Sequence, residues 1–128
     1  MKIIFEDRFT AKKAEIIRVA LIVAEANFEL PGTIRVGKLD EEDARYNDGM
    51  IGGDNRILVR AGLSGAALFS TVSHEAKHVS QIYKGELDSD MFHFYWKGRK
   101  VPARVRYENL PHEKEAFAYE YRLIPKRK

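Results

Sequence analysis

Apolar residues along this chain follow two rhythms, one suited to strands and one to helices. Residues 2–6 alternate, with Ile3 and Phe5 on one face, and predict a short strand. From Thr10, a residue fit to cap a helix, the period lengthens. Ile16, Ile17, Ala20, Val23, Ala24 and Asn27 line one side of a helix that reaches about Asn27. Leu21 and Ile22 widen that stripe, which predicts a well-buried element. Leu30-Pro31-Gly32 stops it. Residues 33–39 alternate again, with Ile34 and Val36 inward and Arg35 outward, and read as a strand.

Residues 40–43 are acidic and read as exposed, and the next stretch carries two strong turn signals, Asn47-Asp48-Gly49 and Gly52-Gly53-Asp54-Asn55. Residues 56–60 then predict a strand. Ser64 is placed to cap a second long helix, which Gly85 ends after about five turns. Residues 91–96 and 100–107 flank Lys97-Gly98-Arg99 and predict a β-hairpin. Asn109 is placed to cap a last helix, with Pro111 in its first turn, where a missing N–H costs nothing. That helix runs to about Leu123, and Pro125 closes it. The order β-α-β-β-β-α-β-β-α predicts an α+β fold with an N-terminal helix, a small, mostly antiparallel sheet, a hairpin and a C-terminal helix.

The chain has 128 residues, which fits one domain spanning 1–128 and a core needing no covalent staples. It has no cysteine, so disulfides, thiolate metal sites and cysteine nucleophiles are excluded, and any metal must be held by His, Asp or Glu. The start, Met1-Lys2-Ile3-Ile4-Phe5, has neither the apolar run nor the small-residue cleavage site of a signal peptide. The longest apolar run, Val19 to Ala24, falls far short of the ~20 residues that span a bilayer. A cytoplasmic protein with no membrane partner is therefore expected.

Net charge is +3 but uneven. Ten Lys/Arg against four Glu make residues 97–128 basic, and the rest is slightly acidic. A solvated hairpin and a basic end, Lys126-Arg127-Lys128, account for this, so nucleic acid is not expected as a partner.

One segment carries chemistry. His74-Glu75-Ala76-Lys77-His78 is H-E-x-x-H, inside the second predicted helix. Histidines at i and i+4 lie about 40° apart on one helix face, so both rings can reach one cation. Glu75, about 100° round from His74, falls beside such a metal rather than among its ligands, within reach of a water there. Leu68, Val72, Val79 and Tyr83 form an apolar stripe on the far side, so the histidines face a cleft flank. A catalytic zinc needs a third protein ligand and an open position. The richest further cluster is the segment from Pro111 to Glu120, which begins the last helix. Within it Glu113 can also be read as a capping carboxylate, and Glu115 as an ordinary exposed glutamate.

In order and spacing, residues 33–121 resemble the minimal gluzincin-type zinc metallopeptidases, the small zincins around the ImmA/IrrE-like and phage minigluzincin groups. The resemblance rests on the strand at 55–60, on Thr71-Val72-Ser73-His74-Glu75-Ala76-Lys77-His78-Val79-Ser80-Gln81, on Tyr95-Trp96-Lys97-Gly98 and on Leu110-Pro111-His112-Glu113-Lys114-Glu115-Ala116. It implies a zincin-like fold with zinc (Zn2+) on His74, His78 and a glutamate of the last helix. That glutamate is Glu113, which opens the E-x-x-A pattern ending at Ala116, with Glu115 as the competitor if the helix is rotated. The Asp or Asn expected four residues after the ligand is Phe117 here. Glu120, Asp88, Asp90 or a backbone carbonyl are the candidates to replace it as acceptor for a ligand histidine. The resemblance also implies that residues 55–60 form the upper edge strand, along which a peptide pairs as an added strand at Asn55, Ile57 and Val59. Tyr95, Tyr107, Tyr119 and His112 are candidate oxyanion donors by residue type.

The expected function is hydrolysis of peptide bonds in a peptide or protein substrate, with Glu75 as general base. Two other classes stay open: a non-catalytic zincin-fold binding or structural protein, phage-encoded or not, and a nucleic-acid-associated factor contacting its partner through the basic hairpin.

Overall fold

The computed structural model describes residues 1–53, 55–89, 93–102 and 104–123. Among these residues the fold is α+β, with four helices, a small mixed sheet and a second, antiparallel sheet. Strand β1 (Lys2–Phe5) leads into helix α1 (Ala11–Asn27), whose first turn is capped as expected, Thr10 Oγ1 accepting from Lys13 N at 3.2 Å. Strand β2 (Thr33–Lys38), the single-turn helix α2 (Glu41–Ala44), strand β3 (Gly49–Gly52) and strand β4 (Arg56–Val59) follow. Helix α3 (Gly65–Tyr83) carries the H-E-x-x-H segment. Strands β5 (Leu87–Ser89), β6 (Phe94–Trp96) and β7 (Arg99–Lys100) form the second sheet, and a 3₁₀ turn (Tyr107–Asn109) precedes helix α4 (Pro111–Leu123).

The main sheet has the order β1-β2-β4-β3. Its pairing departs from the antiparallel expectation: β1 pairs with β2 and β2 with β4 in parallel, and β3 alone is antiparallel, to β4. The cause is connectivity. Helix α1 carries the chain back over the sheet between β1 and β2, which is how parallel neighbours are joined. The β3–β4 turn then inserts β4 beside β2 and leaves β3 outside. Consequently β4 hydrogen-bonds on both sides, and Ile57 and Val59 are fully buried. Residues 55–60 are thus not an edge and offer no backbone to a peptide. Asn55 serves the turn instead, its Nδ2 donating to Thr33 O at 3.2 Å and its carbonyl accepting from Arg35 N. On the side next to the H-E-x-x-H helix the edge is β3.

The core lies between this sheet and two helices. Ile17, Ala20, Leu21 and Ala24 of α1 meet Leu68, Val72, Ala76 and Val79 of α3 over Ile34, Val36, Ile57 and Val59. Ile22 is 60% exposed, so the stripe on α1 is narrower than its composition suggested. The expected hairpin is short on its second strand, Arg99–Lys100, beyond which Val101 N adds one bond to Phe94 O. Met91 and Phe92 lie outside the described residues, as do Asp54, Asp90, Pro125 and the basic end. Asn109 is not the cap of α4. It closes the 3₁₀ turn, and Leu110 precedes the helix in the extended conformation that a residue before proline adopts. Among the described residues no helix is long and apolar enough to cross a membrane.

Candidate metal centre

Helix α4 packs across α3, with Tyr119 reaching Phe28 (ring centroids 4.7 Å) and Ala116 fully buried. This crossing brings together residues 35 or more apart in sequence. Glu113 Oε1 lies 2.9 Å from His74 Nε2 and 2.9 Å from His78 Nε2. The three ligand atoms lie within 4.8 Å of one another, and all three residues are buried. This group could hold a metal ion. Glu115 is placed elsewhere: its Oε1 pairs with Lys77 Nζ at 3.4 Å and accepts from Gln81 Nε2 at 3.2 Å. Helix α4 is therefore not rotated towards the alternative.

Each ring also meets an acceptor on its other nitrogen. His78 Nδ1 lies 2.8 Å from Gln81 Oε1, and His74 Nδ1 lies 3.2 Å from Glu120 Oε1. The second contact is close but poorly aligned for a hydrogen bond. Phe117 occupies the place expected of an Asp or Asn and packs edge-on against His74 (4.5 Å between ring centroids). The acceptor comes instead from Glu120, two helical turns after Glu113 and so on nearly the same face.

These contacts decide the chemistry of the cluster. A neutral imidazole has one N–H and one lone pair. His78 Nδ1 faces an amide oxygen, and both Nε2 atoms point at one carboxylate oxygen of Glu113. Three electron-rich atoms facing one point need a cation, either a metal or extra protons. Without a metal, the need falls on His74. Burial works against its charged form, but Glu113 and Glu120 outweigh burial and raise its pKa to about 9. Burial also opposes ionisation of Glu113, yet its bonds to His74 and His78 hold it well below the usual carboxylate range. Ligand atoms at tetrahedral corners around zinc would sit about 3.3 Å apart, near the 2.9 Å that separates Glu113 Oε1 from each ring nitrogen. The donor set, two imidazoles and a carboxylate, suits that metal.

Glu75 is buried but lines a cleft of about 600 Å³ together with Thr71, His74, Tyr107, Phe117 and Glu120. Burial raises its pKa, and the neighbouring His78 and His74 pull the other way. Gly49, at the start of β3, lines the same cleft beside Glu75. A Cβ there would come 2.6 Å from Thr71 Cγ2 and 3.1 Å from Glu75 Cγ, so the edge strand approaches the helix only because the side chain is missing.

Of the four candidate oxyanion donors, Tyr107 lines the cleft among the described residues. Its ring is largely exposed, but its hydroxyl lies near Glu113, and burial and that carboxylate push its pKa up. Tyr119 is buried against Phe28 at the end of α1, and Tyr95 belongs to the second sheet. His112 is buried against Phe94 (5.0 Å), with its Nε2 3.8 Å from Glu113 Oε2, too far for a hydrogen bond. Burial lowers its pKa and keeps the ring neutral.

Two residues escaped the sequence reading, Gln81 and Gly49. Gln81 stands three residues after His78, a spacing that makes neighbours on a helix, so that signal was present. Gly49 was read only as part of a turn, and nothing local marked its close approach to α3, where a Cβ would meet Thr71 and Glu75. No family model, curated protein or solved structure matches the chain.

Proposed function

We propose that the protein is a zinc-dependent peptidase built on a zincin-like scaffold, with His74, His78 and Glu113 as ligands and Glu75 as general base. The observation that carries this reading is the convergence of two imidazole nitrogens and a carboxylate oxygen at the rim of an open cleft, with a separate carboxylate beside them. The resemblance of the H-E-x-x-H…E-x-x-A pattern to minimal gluzincin-type peptidases supports it. When bound, zinc would act as a Lewis acid towards the scissile carbonyl and acidify the attacking water.

The chain's own residues do the rest. Glu75 takes a proton from the water as it attacks, holds it in a buried site that favours the protonated form, and returns it to the leaving amine nitrogen. Tyr107 can turn its hydroxyl from Glu113 to the oxygen that becomes negative. An extended substrate would lie along β3, the strand nearest the cleft with an unpaired side, rather than along β4.

The test combines metal content with cleavage. Protein purified without added metal should hold about one zinc per chain, lost in His78→Ala, because two ligands hold zinc poorly. It should cleave members of a broad peptide library in a chelator-sensitive way. A preparation that takes up no zinc sinks the reading, and one that holds zinc yet cleaves nothing favours a scaffold role.

A further inference from the structure

Gln81 is fully buried between α3 and α4, and its whole amide is engaged. Nε2 donates to His112 O at 3.0 Å and to Glu115 Oε1 at 3.2 Å. Both partners can only accept, so the amide cannot be turned over without losing both bonds. Its oxygen must therefore face His78 Nδ1, 2.8 Å away. A carbonyl oxygen accepts, so Nδ1 donates to Gln81, and Nε2 is the ring nitrogen that faces Glu113.

We propose that Gln81 is the positioning residue of this centre: one amide sets the tautomer of His78 and ties the first turn of α4, which carries Glu113, to α3. The inference rests on the reading of His74, His78 and Glu113 as metal ligands. The two halves of its role use different atoms. The oxygen orients the ring, and the nitrogen holds the helix. Gln81→Met, similar in size, removes both. Gln81→Glu keeps an acceptor for His78 but gives up both donor bonds to α4.

Ring-nitrogen spectra of protein labelled with ¹⁵N-histidine, recorded metal-free at pH 10 and again with one equivalent of zinc, read the tautomer directly. In wild type the His78 proton is expected on Nδ1 in both states, with zinc shifting Nε2. Gln81→Met should show mixed tautomers and lose about 10–100-fold in zinc affinity. Gln81→Glu should keep the Nδ1–H ring and most of the affinity while its thermal midpoint falls. A helix tie alone would move the midpoint without moving the tautomer. A proton on Nε2 of metal-free wild-type His78 overturns the proposal. So do an unchanged tautomer and affinity in Gln81→Met. If Gln81→Met does not fold, the wild-type and Gln81→Glu spectra still decide, since an Nε2-protonated ring in either is fatal. Absence of any zinc-dependent shift in wild type would refute the ligand reading, while the metal-free spectrum still judges Gln81.

Discussion

Glu75 and Gly49 close on each other across the cleft wall: a Cβ on Gly49 would lie 3.3 Å from Glu75 Oε2 and 3.1 Å from its Cγ. The edge strand thus lies directly against the Glu75 side chain. Adding a side chain at Gly49 forces β3 and α3 apart, because Thr71 Cγ2 would be only 2.6 Å away. Gly49→Val should lower stability by about 1–3 kcal/mol, the usual cost of overpacking. It should also cut peptide cleavage while leaving zinc content unchanged, since no ligand is displaced. Urea unfolding and elemental analysis on the same sample check both halves.

Glu113 and Glu115 differ by two residues and by function. Glu113→Gln should lose most of its zinc, because its Oε1 is the point both rings face. Glu115→Gln should retain it, since that carboxylate bonds Lys77 and Gln81 and neither ring. Equal zinc content in Glu113→Gln and wild type would refute the assignment.

Removing the proton acceptor should separate turnover from metal binding. Glu75→Gln keeps shape and volume but cannot take a proton. Loss of a general base typically costs about 10²–10⁴ in rate. The variant should hold zinc like wild type, unfold at a similar temperature, and show no cleavage above chelator-treated controls. Cleavage that survives the substitution would identify a contaminant or a different mechanism.

Proton binding should govern the stability of the metal-free protein. The pKa of His74 rises from 6.5 to about 9 on folding, so the folded state binds that proton more tightly. Its contribution is therefore complete below pH 6.5 and disappears as pH rises through about 9. Glu113 is depressed from 4.5, so its contribution is complete above pH 4.5 and fades in acid. Metal-free protein should be most stable between these limits, with a thermal midpoint that drops from pH 6.5 to pH 9.5. Zinc should remove that decline, because it replaces the proton as the cation. A flat midpoint in metal-free protein across this range would show that the cluster needs no cation.

The pairing of His74 with His78 was legible in the sequence because it is local. Four residues on a helix put two rings on one face whatever the rest of the chain does. The helix around them was legible for the same reason, from Leu68, Val72 and Val79 at helical spacing and from Gly85 at its end. Glu113 was reached through resemblance. The choice over Glu115 needed α4 docked on α3, since a helix can turn either residue inward until its packing face is known. Long-range order also decided which strand forms the edge. Ile57 and Val59 alternate like any half-exposed strand, and only the insertion of β4 between β2 and β3 buries them and leaves β3 outside. The acceptors around the rings divide along the same line. Gln81 sits one turn from His78 and is set by the helix itself. Glu120 reaches His74 only because α4 crosses α3 where Phe117 packs on the ring. Local spacing is fixed by backbone geometry, whereas pairing, docking and close approach depend on contacts between residues far apart in the chain, which no short window of sequence contains.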